Sequence, residues 1–382
     1  MKKSYDYLEL LKYCLHEDMT APFGLLSDIC WHDLLDFAKK QSLVGVYWSG
    51  ISRAYDVEMN GKAVEVASNK PTDSDVLEWL SVVRKTQKRN DYFNEKAKWV
   101  TDRFGMEGFD SCVLKGQGNA MFYPEPSLRM PGDIDIWVRP KGGSGSCDRQ
   151  VIAYCRQFVP DAKACYHHID FISAGYAPVE VHYRPSWVSN PFYNNRIQDF
   201  FEQHASRCFL NATPHGFNVP TWEFNVVYQL CHIYNHLLHE GIGMRQIVDF
   251  YYLLMNRPEE CDTERAIYYI NRCGLRGVAG AVSWLLMTVL AMPAEQNFIP
   301  VDSRRGRFLL HEIVLGGNFG KYDSRMLSGV YDKPIMKNIQ RLVRDCRMLA
   351  FFPTECLCEP FFRLWHFFWR WSRRERGERE IE

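Results

Sequence analysis

The sequence predicts an α+β fold, in which a small mixed β-sheet is flanked by N-terminal and C-terminal helical regions. Apolar residues recur at helical spacing through the first hundred residues and again after Thr221. Between these regions, residues 109–184 contain short runs that alternate or are continuously apolar, which is typical of strands. The chain has 382 residues, of which 46% are hydrophobic. That composition supports a large core and excludes wholesale disorder.

Composition also limits the function classes. The 46 basic and 46 acidic residues cancel, which excludes a strongly basic nucleic-acid coat or histone-like protein. The longest uncharged stretch, between Arg276 and Pro293, is shorter than the roughly 20 residues of a bilayer crossing and predicts a buried core helix. The thirteen cysteines lack the spacing of a disulfide scaffold, and the first residues lack an apolar signal segment. We therefore expect a cytoplasmic protein with free thiols and no transmembrane segment.

The N-terminal region contains three segments with helical periodicity, at residues 5–15, 31–52 and 75–104. The third is expected to begin at a cap formed by residues 73–75. It is expected to end at Gly105, since glycine suits the left-handed conformation that closes many helices. A polar connector at residues 59–74 carries turn signals and separates the second segment from the third.

Strand patterns follow at residues 109–114, 134–138, 165–172 and 179–183, with one helical pattern at 148–158. The glycine-rich joint at 141–146 predicts a flexible tip, because it lacks the Gly-Lys-Ser/Thr of a phosphate loop. Helical patterns then return at 222–239, 244–255, 263–272, the apolar stretch up to 292, 304–315, 335–352 and 361–376. The predicted organisation is a helical region at 1–106, a core at 107–215 and a helical region at 216–382.

The segment Gly132-Asp133-Ile134-Asp135-Ile136-Trp137-Val138 places two acids on an apolar strand. Side chains alternate along a strand, so Asp133 and Asp135 point to the same face. Adjacent carboxylates repel each other unless a cation lies between them, and hard ions such as Mg²⁺ prefer oxygen donors. The pair is therefore a candidate metal site, with a solvated strand edge as the alternative.

A third acid occurs in the alternating run Val179-Glu180-Val181-His182-Tyr183, where Glu180 and His182 share a face. If this strand neighbours the first, three carboxylates converge, which is enough for a two-metal site. The alternative is that Glu180 is an exposed face residue and that His182 hydrogen-bonds a nearby acid.

Upstream, an apolar strand ends in the turn Lys115-Gly116-Gln117-Gly118, which leads into a short helix. Backbone amides at such a turn bind anions, glycine allows close approach, and Lys115 adds a positive charge. Arg129 offers a fork of donors to a phosphate, or alternatively pairs with a local carboxylate.

These motifs resemble a known family. The segment LKGQGNAMFYPEPSLRMPGDIDIWV, followed about forty residues later by VEVHYRP, resembles the uncharacterised nucleotidyltransferase family of the polymerase-β-like nucleotidyltransferase superfamily. It is also similar to abortive-infection type toxin transferases, which share an LKGG turn and an Arg-x-x-x-Asp-x-Asp arrangement.

The resemblance implies a small mixed sheet that binds two Mg²⁺ ions, or Mn²⁺, around a nucleoside triphosphate, with ATP expected. It assigns catalysis and metal binding to Asp133, Asp135 and Glu180. The superfamily's usual Gly-Ser turn is here Lys115-Gly116, so the candidates for phosphate contacts are Lys115, Gly116 and Arg129. His182, His236 and Arg245 are further candidates for nucleotide contacts.

The match continues into a His-rich helix. His232, His236 and His239 have the spacing of one helical face, and Arg245 and Asp249 follow after a glycine turn. The helix either walls the nucleotide or acceptor cleft, or its histidines satisfy one another and Asp249 in the interior. Structural zinc is disfavoured, because no nearby fourth ligand has comparable spacing.

The resemblance thus implies a metal-dependent nucleotidyltransferase with an unidentified acceptor, which is a small molecule, a protein or tRNA. The alternatives are a catalytically inactive nucleotide-binding or protein-interaction module, and a toxin-like transferase that modifies tRNA or protein. The aromatic and Arg-rich tail after Pro360 predicts a core helix with a solvated end, in preference to a membrane-surface or nucleic-acid contact.

Overall fold

A computed structural model describes residues 2–59, 69–143, 147–172, 177–323, 325 and 334–379. Its helices are α1 (Lys2–Leu15), α2 (Phe23–Ser27), α3 (Trp31–Gln41), α4 (Val44–Met59), α5 (Asp73–Met106), α6 (Gln117–Ala120), α7 (Asp148–Arg156), α8 (Pro191–Phe209), α9 (Trp222–His239), α10 (Met244–Met255), α11 (Thr263–Arg272), α12 (Arg276–Trp284), α13 (Ser303–Gly316), α14 (Pro334–Met348) and α15 (Pro353–Arg379). Together with a small mixed sheet, they confirm the predicted α+β fold.

The sheet has four strands, β1 (Phe109–Val113), β2 (Ile134–Pro140), β3 (His168–Ile172) and β4 (Val179–His182). Their spatial order is β1-β2-β4-β3, and β2 and β4 are the parallel pair in its centre. β1 and β3 flank that pair in antiparallel orientation. All four strands lie where the alternating and apolar runs predict them.

The two faces of the sheet are covered by different helices. Ile134 and Ile136 of β2 face a core that contains Phe93 and Phe104 of α5 together with residues of α7. Trp137 points the other way, and its ring stacks at 5.5 Å on a phenylalanine of α9. Because Asp135 shares the alternation of Trp137, it lies on the face that looks towards α9.

The N-terminal and C-terminal helices pack into one continuous hydrophobic core. The His16 ring contacts the carbonyl oxygen of Leu290 at 2.8 Å, and the Gln41 side chain donates to the carbonyl of Ile313 at 3.2 Å. Gln41 also accepts from the amide of Met244 at 2.8 Å. The predicted division into regions at 1–106, 107–215 and 216–382 stays a prediction.

Some helix boundaries differ from the predictions. The segment predicted as one helix at 31–52 is two helices, because Ser42 adopts a left-handed conformation with φ 57° that closes α3. Helix α5 begins at Asp73, and the preceding Thr72 forms a capping box with Asp75 through its hydroxyl. The same helix continues past Gly105, and Gly108, with φ 81°, follows its end.

Helix α8 has no counterpart among the predicted helices. Its start carries clear signals: the Asn190 side chain accepts hydrogen bonds from two helix amides, and Pro191 occupies the first helical position. The predicted apolar helix up to 292 is divided into α12 and a π-helical segment, Leu285–Val289.

The aromatic tail forms α15, and only part of it packs. Phe362 stacks on Trp187 at 4.3 Å, whereas Phe361, Phe367 and Phe368 are more than half exposed. Within the described residues, no helix is both long enough and apolar enough to cross a membrane. Residues 60–68 of the predicted connector, 144–146 of the glycine-rich joint and the last three residues of the tail lie outside the described residues.

Candidate metal and nucleotide site

Three carboxylates meet at the centre of the sheet. Asp133 immediately precedes β2, Asp135 lies within it, and Glu180 lies directly opposite Asp135 on the parallel strand β4. Each acid offers an oxygen, and these oxygens all lie within 4.8 Å of one another. An all-oxygen donor set of this size fits Mg²⁺ or Mn²⁺, which are hard cations.

Asp135 is the most deeply buried of the three, with 1% of its surface exposed. Its Oδ1 lies 2.9 Å from His182 Nε2, whereas its Oδ2 makes no hydrogen bond of normal geometry with any described residue. Burial alone would raise the pKa of Asp135, but the Lys115 charge and the His182 hydrogen bond lower it. The carboxylate therefore stays ionised, and its Oδ2 faces the Lys115 ammonium group at 3.1 Å.

His182 joins two of the acids. Its Nε2 also lies 3.6 Å from Glu180 Oε2. Burial alone would lower the pKa of His182, but the hydrogen bond to Asp135 and the nearby Glu180 carboxylate raise it to about 9. Burial likewise opposes ionisation of Glu180, yet the close contact with His182 and the charges of His168, His182 and Lys115 lower its pKa to about 2. The structure therefore shows His182 as the hydrogen-bond partner of an acid, which is the alternative interpretation of this residue.

Lys115 follows β1 and brings a positive charge to the acids. Its Nζ lies 3.1 Å from Asp135 Oδ2 and 3.7 Å from Asp133 Oδ2. Burial by itself lowers the pKa of Lys115, but the charges of Asp133 and Asp135 outweigh it and raise that pKa. The ammonium group thus offsets part of the local negative charge.

Gly116 makes this arrangement sterically feasible. Its φ is 59°, and a Cβ at this position would lie 3.2 Å from the carbonyl oxygen of Asp133. Any other residue would be strained and would press against the loop that carries the first aspartate. Helix α6, which begins after this turn, has only four residues and contributes little dipole.

The acids open into a cleft of about 230 Å³ between the sheet and α9. The cleft is lined by Lys115, Asp133, Asp135, His167, His168, Glu180, His182, Pro185, Ser186, Trp187, His232, Asn235, His236, His239 and Glu240. It therefore contains all three predicted metal ligands and five further residues that the sequence singled out. Those five are Lys115, His182, His232, His236 and His239.

One wall of the cleft is the His-rich face of α9. The rings of His232 and His236 contact each other edge to face at 4.2 Å, and His236 Nδ1 lies 3.0 Å from Glu240 Oε2. His232 Nε2 lies 3.5 Å from Lys115 Nζ. Burial and the Lys115 charge hold the pKa of His232 well below its usual value, so this imidazole is neutral. The α9 histidines therefore contact one another and also line the cleft.

The structure does not place Arg129 or Arg245 among the described residues that line this cleft. Arg129 Nε and Nη2 each donate to Asp249 at 2.7 Å, and Tyr123 Oη donates to the same carboxylate at 2.6 Å. Arg245 Nη1 donates to the carbonyl of Met130 at 2.9 Å. The fork of Arg129 therefore engages a carboxylate, as in the alternative assignment. Asp249 binds this arginine and the tyrosine instead of the α9 histidines.

The sequence reasoning missed part of the cleft. His167, His168 and Trp187 line it, and Cys165 contacts both of these histidines. The sequence Cys-Tyr-His-His places three possible metal ligands within four residues, and this spacing is itself a signal of a metal site. Trp187 left no comparable signal, because a single aromatic residue in a loop has no periodicity to interpret.

Comparison with known proteins identifies a family. The sequence profile of a family described as uncharacterised nucleotidyltransferase matches residues 27–291, more than two thirds of the chain. No curated protein and no solved structure matches the chain. The matched region includes the whole sheet, the three carboxylates, Lys115 and the His-rich helix. The chain therefore belongs to this family of uncharacterised nucleotidyltransferases.

Proposed function

We propose that this chain transfers a nucleotidyl group from a nucleoside triphosphate, with ATP as the expected donor, to an acceptor hydroxyl. The observation that carries the proposal is the convergence of Asp133, Asp135 and Glu180 within 4.8 Å at the floor of a cleft. Family membership supports the transferase chemistry, and the oxygen-only donor set supports a divalent cation.

In this proposal Asp133 and Asp135 hold one Mg²⁺ or Mn²⁺ ion, and Asp135 and Glu180 hold a second. Such ions supply charge neutralisation at the triphosphate and lower the pKa of the attacking hydroxyl. The acceptor oxygen forms a bond to the α-phosphorus, the bond to the β-phosphate breaks, pyrophosphate leaves, and the hydroxyl proton passes to water. The protein's share is to position the reactants in line and to neutralise charge on the phosphate oxygens.

Other residues of the cleft support these roles. Lys115, at the end of β1, is placed to donate from its ammonium group to phosphate oxygens once cations engage the carboxylates. His182 fixes the orientation of Asp135 and Glu180 through its hydrogen bond and its charge. Gly116 keeps the turn close to Asp133, and His236 walls the opposite side.

The contacts of Arg129 favour a structural role over the phosphate contact expected from the sequence. Arg129 forms a bidentate pair with the buried carboxylate of Asp249, so its guanidinium group is poorly placed to move towards a substrate. Arg245 packs against the same loop, because a Cβ on Gly132 would lie 3.7 Å from Arg245 Nη1. We assign this pair of arginines to holding the loop that leads into β2.

The test follows transfer of label from each α-labelled nucleoside triphosphate, with Mg²⁺ or Mn²⁺, into the small-molecule, RNA and protein fractions of a native-host extract. The variant Asp133→Ala/Asp135→Ala is expected to lose at least about two orders of magnitude of transfer. Asp110→Asn is a matched control, since this acid lies on the adjacent strand β1 but outside the cleft. It should transfer label like the wild type.

The fraction that carries aspartate-dependent label would identify the acceptor class. Label that persists in the double aspartate variant, or no label with any triphosphate, would contradict the proposal. If nucleotide binding remained in that second case, the result would instead favour a binding module without turnover.

A further inference from the structure

A short turn next to the cleft carries one thiol and two imidazoles. Cys165, His167 and His168 lie in the sequence Cys-Tyr-His-His at the start of β3. The amide of Cys165 donates to the carbonyl of His168 at 2.9 Å, so only two residues form the loop between them. A loop this tight holds the three side chains next to each other.

The ligand atoms are close together. Cys165 Sγ lies 3.5 Å from His167 Nδ1 and 3.4 Å from His168 Nδ1. Ligands around a tetrahedral Zn²⁺ ion, with bonds of about 2.0–2.3 Å, are separated by roughly 3.3–3.7 Å. Both imidazoles therefore stand at ligand-to-ligand distance from the same sulfur, and they also contact each other, with His168 Nδ1 2.9 Å from His167 Nε2.

The backbone of the turn is fixed from several sides. The Tyr166 amide donates to His366 Nε2 at 3.1 Å, and the Tyr166 carbonyl accepts from Arg184 Nη1 at 2.8 Å. The His167 carbonyl accepts from the amide of Tyr183 at 3.0 Å. Donors held on a rigid, hydrogen-bonded frame lose little entropy when they take up an ion.

We propose that Cys165, His167 and His168 form a second metal site, specific for a borderline or soft transition metal ion, with Zn²⁺ the expected ion. Three protein ligands leave one tetrahedral position open, as in zinc sites that exchange water or substrate. Glu180 is the adjacent carboxylate, and its Oε2 lies 3.8 Å from His168 Nδ1. The site therefore lies at the edge of the cleft, next to a proposed Mg²⁺ ligand.

Donor chemistry separates this site from the three carboxylates. Thiolate and imidazole select Zn²⁺ and related ions, whereas carboxylate oxygens select Mg²⁺ and Mn²⁺. The two donor sets therefore take different ions in the same solution. The Cys/His site does not depend on nucleotidyl transfer, and its test needs no assay of activity.

The probe is Co²⁺, whose bond to a thiolate gives a charge-transfer absorption band, with competition by Zn²⁺ as the measure of affinity. Full-length wild type is expected to show the band with one equivalent of Co²⁺ and to lose it when Zn²⁺ displaces the ion. Cys165→Ser should abolish the band. His167→Ala and His168→Ala should each weaken Zn²⁺ binding by more than about 100-fold, since loss of even an indirect partner of a metal ligand costs about 10- to 100-fold.

Two control variants decide the location of the ion. Cys30→Ser removes an exposed thiol elsewhere and should keep the band. Asp133→Ala/Asp135→Ala should also keep it, which would show a site independent of the carboxylates. The proposal is overturned if wild type gives no band, if the band survives in Cys165→Ser, or if it disappears in the double aspartate variant. Circular dichroism of each metal-free variant checks that it folds.

Discussion

Gly116 shows how one residue determines the geometry of the cleft. It connects Lys115 to α6, and its backbone passes close enough to Asp133 that a methyl group would meet the carbonyl oxygen at 3.2 Å. The positions of Lys115 and Asp133, which lie on different segments, therefore depend on the absence of a side chain at residue 116. The same residue also adopts a positive φ, which other residues adopt only at a cost of about 1–2 kcal/mol.

We expect Gly116→Ala to lower the free energy of unfolding by at least about 1–2 kcal/mol and to reduce nucleotidyl transfer, because both the strain and the contact act on the cleft. Gly105→Ala is the matched control. Gly105 lies inside α5 with open space around its Cβ position, so alanine there should raise the free energy of unfolding by about 0.5–1 kcal/mol. Urea denaturation of both variants measures the difference, and equal effects would refute the steric argument.

Among the helices and strands, the contact between α15 and the start of α8 depends on one buried acid. Glu355 Oε2 accepts from the amides of Ser189 and Asn190 at 2.6 and 3.2 Å, and only 3% of the residue is exposed. Burial raises the pKa of Glu355 to about 7, although the two backbone hydrogen bonds act in the opposite direction. The C-terminal helix is therefore attached through a group that titrates near neutral pH.

The sign of the pH effect follows from this shift. Between about pH 4.5 and pH 7 the folded chain binds more protons at Glu355 than the unfolded chain, so this residue's contribution to stability is complete below that window and declines as the pH rises through it. The decline amounts to about 3 kcal/mol. In Glu355→Gln this part of the pH dependence should disappear, and the variant should be more stable than wild type at pH 8. Chemical denaturation at pH 5 and pH 8 measures it, and parallel losses in both proteins would argue against the assignment.

Glu355→Ala provides the contrast. It removes the acceptor of both amides, so it should be less stable than Glu355→Gln at each pH, by about 1–3 kcal/mol.

At the scale of the whole molecule, a buried ion pair joins the loop before β2 to α10. Arg129 and Asp249 are 4% and 5% exposed, and Tyr123 adds a hydrogen bond to the same carboxylate. The two partners are 120 residues apart in sequence. Breaking such a pair leaves an uncompensated buried charge, whereas removing both charges together is far less costly.

We expect Arg129→Met to lower the free energy of unfolding by about 3–5 kcal/mol. The double variant Arg129→Met/Asp249→Leu should recover part of that loss, which a double-mutant cycle measures by denaturation. If Arg129 instead contacts phosphate directly, the single variant would keep its stability and raise the KM for the triphosphate. That outcome would restore the role predicted from the sequence.

Local patterns in the sequence determined the strands and most helices, because side-chain periodicity reports directly which face of an element is buried. They also singled out Asp133, Asp135 and Glu180, since acids that alternate with apolar residues on a strand are conspicuous. The start of α8 was equally visible in Asn190-Pro191, and glycine alone was a poor guide to the end of α5.

Tertiary structure alone decided which partners meet. The parallel pairing of β2 with β4 placed Glu180 opposite Asp135. The packing of α10 against the loop before β2 brought Arg129 into contact with Asp249. Tertiary packing likewise brought the His-rich face of α9 opposite the acids and joined the first and last helices in one core. Periodicity carries no record of these contacts, because each depends on the packing of elements far apart in the chain.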